Sequence, residues 1–157
     1  MRDIRFKLKD RGGLLDKNTH ILLSRWASLC VEHVLNLLGE GIDIRLINLL
    51  NKSEEWREGK ISVGEARKFA KDAFYIAKES ISPIEKFFAY AIGHTLATAH
   101  MADHSIISSI YSLKVVNALN GPIEEEIKWQ EENLPNEIKE LIISAKNEDK
   151  YKKLLKK

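Results

Sequence analysis

The stretch HTLATAHMADH, residues 94–104, holds three of the chain's five histidines and one aspartate. Imidazole and carboxylate groups at this density serve metal ligation, proton transfer, or polar pairing inside a crowded helix interface. On a straight helix each residue advances about 100°, which sets His100 and His104 about 40° apart on one face. That i, i+4 spacing is the one helical metal sites use. The run HMADH also resembles a reversed zincin pattern, H-x-x-E-H, with Asp103 in the place of the glutamate and a shorter reach. The same arithmetic turns His94 about 120° from His100 and about 80° from His104, with Asp103 on the side opposite His94. A straight helix therefore supplies two zinc ligands, whereas a catalytic zinc takes three protein ligands and a water. The third would come from His20, His33 or a carboxylate on another helix. The expected cofactor is none, and the alternative is a zinc or iron site on His100, His104, Asp103 and His94.

A packing role accounts for more of the neighbourhood. Gly93, Leu96, Ala97, Ile107 and Tyr111 share the face of the His100–His104 pair, and Tyr90 borders it. Glycine and alanine at four-residue steps let another helix come close. The histidines would then bond to backbone carbonyls, to Asp103, or to the hydroxyls of Ser105, Ser108, Ser109 and Ser112, because buried polar groups need partners. No catalytic residue is assigned. There is no GxSxG and no glycine loop for phosphate. Cys30 and His33 lie three apart, but Cys30 falls on an apolar stripe and reads as core.

The elements that must carry these residues are all helical. Leu22, Leu23, Trp26, Cys30, Val34, Leu37 and Leu38 recur at three- and four-residue steps in a helix from about Asp16 to Leu38, stopped by Gly39. A second helix spans Asp43 to Glu58, capped by Asp43 and ended by Gly59. Ser62 and Glu65 form a capping box for a third. Ser82, Pro83 and Glu85 repeat the device for a fourth. No glycine or proline punctuates 84–119 except Gly93, and one helix over that length would be far beyond the usual globular length. A break near Met101–Asp103 is expected, with Asp103 as a cap and a fifth helix to Leu119. Asn-Gly-Pro at 120–122 starts a further helical stretch, and Pro135 divides the C-terminal part into two short helices. The fold class is all-α, a bundle or stacked helical hairpins of six to seven helices.

At 157 residues the chain suits one domain: a basic arm at 1–13, core helices at 14–120 and charged helices at 121–157. Its formal net charge of +2 does not call for nucleic acid. With no signal-peptide core and no run expected to span a membrane, the cytoplasm is the expected location. The charge is nonetheless segregated. Residues 122–140 carry seven acids against two lysines, between basic ends. Glu124, Glu125, Glu131 and Glu132 around Trp129 form a candidate surface for a basic partner. Trp129 could equally pack inward with Ile123, Ile127 and Leu134.

Three stretches, LLSRWASLCVEHVLNLL, WREGKISVGEARKFAKDAFYIAKE and AIGHTLATAHMADHSIISSIYSLKVV, resemble a bacterial family of Imm-five-like immunity domains linked to polymorphic toxin systems. The most specific parts are Trp56, Gly59, Ile61, Ser62, Glu65, Ala66 and Arg67 in one run, and Ala97, His100 and His104 in another. The resemblance implies an all-helical protein that binds and neutralises a protein toxin, without catalytic residues. Two other readings stand beside it: a metal-binding protein or hydrolase built on 94–104, and a helical homodimer joined through the small-residue face.

Overall fold

Local punctuation sets the element boundaries in the computed structural model, which describes residues 2–156. Asp16 accepts the Thr19 amide at 2.8 Å and opens α1 (Lys17–Leu38), which Gly39 closes at φ 68°, a conformation that favours glycine. Asp43 opens α2 (Ile44–Arg57) through the Arg45 amide. Both bonds of the capping box at Ser62 and Glu65 are made at the start of α3 (Val63–Glu79). Ser82 accepts the Glu85 amide at 3.4 Å and opens α4 (Pro83–Ala97), but the second box is left open. The Glu85 carboxylate takes the Ser80 hydroxyl instead, at 3.4 Å.

The long apolar run breaks over 98–103, and α5 (His104–Ala118) comes after it. Asp103 makes no side-chain cap bond there. At the far end of α5 the left-handed residue is Asn120, at φ 58°, rather than Gly121. Gly121 instead sits against Val116, where a Cβ would come within 3.0 Å. Then come α6 (Ile123–Glu132), α7 (Asn136–Lys146) and α8 (Asp149–Lys156). The class is all-α, with eight α-helices and no strand among the described residues. The eighth helix was hidden by its lysines: Tyr151 is 5% exposed, and Leu154 and Leu155 pack beside it, three and four residues on.

Helix α4 is the centre, packed against α3 and α5 most extensively and against α1 and α2 as well. Its glycine explains the closest of these approaches: a Cβ on Gly93 would lie 2.3 Å from the Phe74 ring of α3. The small-residue face around Gly93 and Ala97 is thus filled within the chain. One core joins Val31, Val34, Leu46, Ala73, Phe88 and Ile92. A second joins Leu23, Trp26, Cys30, Ile106, Ile138 and Ile142.

The expected basic arm folds back onto this second core. Residues Ile4–Phe6 and Lys9–Arg11 form two short 3-10 turns, and Phe6 is 3% exposed. Leu8 and Leu15 pair backbone to backbone, and Arg5 reaches the Ser144 hydroxyl at 2.9 Å. The alternation of apolar and basic residues reflects this: Phe6 and Leu8 face inward while the cations remain at the surface. Met1 of that arm and Lys157 of the lysine-rich tail lie outside the described residues. Among the described residues α1 is long and apolar enough to cross a membrane by length and composition, although no such span was expected. Leu23, Trp26, Cys30 and Val31 of that helix are buried inside the protein.

Candidate functional site

The break at 98–103 decides the geometry of the histidines. It reverses the chain, so the last turn of α4 faces the first residue of α5 across a hairpin. His94 and His104 are brought together, with their Nδ1 atoms 2.8 Å apart and their rings stacked at 5.0 Å. This overturns the straight-helix expectation that His94 points away. His100 stays near His104 at 5.8 Å between ring centres, tilted rather than paired. Its Nδ1 is buried without a hydrogen-bond partner. Asp103 makes no hydrogen bond to any of the three, although its charge acts on His100 and His104.

Burial keeps these imidazoles neutral. It lowers the pKa of His94 to about 3, with the nearby His104 acting in the same direction. It lowers His100 to about 4, reinforced by His104, Arg67 and Arg2 and opposed by Asp103. Burial lowers His104 too, against the Asp103 charge. Since both members of the 2.8 Å pair are neutral, one Nδ1 carries the proton and the other accepts it. The pair continues into an aromatic stack, with the His94 ring 5.5 Å from and nearly parallel to Tyr111, and Tyr111 5.2 Å from Tyr90. Among the described residues no three His, Cys, Asp or Glu side chains are arranged to hold one metal ion.

The serines expected to serve the histidines serve the helices instead. Ser108 lies 2.7 Å from Thr95 and donates to the Ala91 carbonyl at 2.8 Å, tying α5 to α4. Ser105, Ser109 and Ser112 donate to carbonyls of their own segment. His20, on α1, is bonded to the Thr98 carbonyl at 2.6 Å. A carbonyl only accepts, so His20 carries its proton on Nε2.

The acidic segment divides into an outer and an inner side. Glu124, Glu125 and Glu132 are exposed, and Glu131 is half-buried with Lys146 at 3.3 Å. Glu126 turns inward, 6% exposed, and binds His33 Nδ1 at 2.7 Å. Trp129 is half-buried and lies flat on the same His33 ring, 3.6 Å between centres. It is neither a free anchor nor a full core residue; it is the lid of a His33–Glu126 pair. Behind it, Trp26 Nε1 donates to the Gln130 carbonyl, and Gln130 Nε2 to the Ser109 carbonyl, both at 3.0 Å. These bonds fix α6 against α1 and α5, so its outer glutamates sit on a rigid support.

A cleft of about 700 Å³ was not anticipated at all. Trp56, Arg57 and Ser62 form one wall, and His20 and Lys17 of α1 another. The Arg57 Nη1 donates to the hydroxyls of Ser24 at 3.0 Å and of Ser28 and Ser53 at 2.8 Å. The sequence does carry a trace of this. Ser24 and Ser28 are four apart on α1, and Ser53 and Arg57 four apart on α2, so each pair shares a helix face.

A model of the family described as "Imm-5 like putative immunity protein" matches residues 13–137. The chain belongs to this family. Neither a curated protein nor a solved structure matches it. The Imm-5 like span takes in α1 through α6, and with them the histidine hairpin, the cleft wall at 56–63 and the acidic face. It bears out the resemblance carried by the runs at Trp56–Arg67 and Ala97–His104. Residues 2–12 and α8 lie outside it.

Proposed function

We propose that this chain is an immunity-type protein that binds a protein toxin in the cytoplasm and neutralises it by occupation, without catalysing a reaction. The observation that carries this reading is membership of the Imm-5 like family across residues 13–137. The histidine hairpin supports it by its internal use: His94 and His104 are half-buried and bonded to each other, and His94 stacks on Tyr111. The contact surface in this reading is the outer side of α6, where Glu124, Glu125 and Glu132 stand exposed and Glu131 borders them. A basic toxin surface would be steered to that face, with an on-rate that falls as salt rises.

The test is charge reversal of Glu125→Lys with Glu132→Lys. Both residues are exposed, so the fold should persist, as a circular dichroism melt would show. The wild-type chain should retain a toxin from the source cell and protect cells co-expressing it. The double variant should lose at least tenfold in affinity. Unchanged affinity would remove α6 from the interface, and absence of any neutralised toxin would remove the function.

A further inference from the structure

The cleft beside Arg57 has the features of a ligand site. Its volume, about 700 Å³, lies in the range of small-molecule and peptide pockets. Most of its wall is apolar, from Leu8, Leu15, Ile21, Ile61 and Val63. Among the charged side chains of the wall Arg57 stands apart. All of its hydrogen bonds run to Ser24, Ser28 and Ser53, neutral groups, and it has no carboxylate ion-pair partner among the described residues. Burial pulls its pKa down, aided by Arg25, while Glu54, Glu32 and Glu58 act in the other direction from a distance. A half-buried cation held only by neutral serine oxygens lacks the counter-charge that usually accompanies one. The other charges of the cleft balance: Lys9 and Lys17 stand against Asp10 and Asp16, and Glu58 lies 3.6 Å from Lys60. Asp16 is further committed to the Thr19 amide. On the facing wall His20, whose proton is given to the Thr98 carbonyl, keeps Nδ1 as an acceptor.

We infer that this cleft binds a carboxylate with an apolar body, with the C-terminal end of an apolar peptide as the best fit. The carboxylate pairs with the Arg57 guanidinium, the apolar side chains lie along Ile21, Ile61 and Val63, and a peptide amide donates to His20 Nδ1. This site is separate from the α6 face and needs no toxin, so its failure and that of the toxin reading are independent.

The experiment is calorimetric titration of the full chain with three probes: N-acetyl-Leu-Leu as the free acid, the same peptide as its C-terminal amide, and octanoate. The peptide acid should bind at least tenfold more tightly than the amide, because charge-assisted bonds to guanidinium are roughly twice as strong as neutral ones. Arg57→Lys should cost a similar factor by losing the planar fork. Val63→Trp, at a position 43% exposed, should block the cleft without touching Arg57 and abolish binding. Octanoate binding as tightly as the peptide acid would support the carboxylate assignment and assign the site to free apolar acids. Equal binding of acid and amide, binding unaffected by both variants, or no binding of any probe at millimolar concentration would overturn the proposal.

Discussion

The Nδ1 atoms of His94 and His104 lie 2.8 Å apart, although ten residues of chain separate them. A continuous helix would hold the two residues about 15 Å apart along its axis. Their contact thus exists because the chain reverses over 98–103. It joins α4 to α5 at the same hairpin where Thr95 meets Ser108. In three dimensions His94 and His104 form a polar seam between α4 and α5.

This seam makes stability depend on pH in a definite direction. His94 titrates at about 3 and His100 at about 4 in the folded chain, both below the ordinary value of 6.5. His104 is shifted the same way. Between the folded and unfolded pKa values the unfolded chain holds more protons, so stability rises with pH through that window. It is fully present above about pH 6.5 and is lost as pH falls toward 4. Each such group contributes a slope of up to ~1.4 kcal/mol per pH unit, less where solvent screens it, as at the partly exposed His100. Urea unfolding at stepped pH should show this decline, and His94→Gln should make it shallower. An identical slope in the variant would contradict the assignment.

Gly93 is expected to be intolerant of any side chain. A Cβ there would lie 2.3 Å from Phe74, so Gly93→Ala should cost about 1–3 kcal/mol. Phe74→Leu should recover part of that loss in a double-mutant cycle. Simple additivity of the two changes would show that the close approach is not what limits residue 93.

The N-terminal segment can be tested by truncating one side chain. Phe6 is 3% exposed among the residues of the second core, so Phe6→Ala should lower stability by about 3 kcal/mol. A detached arm would show no change in a thermal melt.

Cys30 should behave as a core residue. It is fully buried, and burial pushes its thiol well above the usual cysteine range. A thiol reagent should modify it only on unfolding. Rapid labelling of the native chain at about pH 8, near the ordinary thiol pKa, would contradict this.

Features with short-range causes were legible in the sequence. The Ser62–Glu65 box, the Asp43 cap and the Gly39 stop are each set by a few neighbouring residues, and each is in place. The break after α4 was legible too, because an unbroken helix there would far exceed the usual globular length. Its consequence was not: a straight-helix calculation separates His94 from His104, and only the reversed chain joins them. The His33–Glu126 pair joins residues 93 apart, and Arg57 draws its hydroxyls from two helices. No spacing rule spans such separations. Phe6 and α8 were obscured differently, since dense lysine and arginine hid apolar residues at buried positions.

Neutralisation by binding stands or falls on growth protection. A toxin captured from the source cell by the wild-type chain is expressed with the wild-type chain, with the Glu125→Lys, Glu132→Lys variant, or alone. Growth is expected with wild type, arrest with the toxin alone, and arrest or strongly reduced growth with the folded double variant. Arrest in the presence of the wild-type chain would contradict neutralisation.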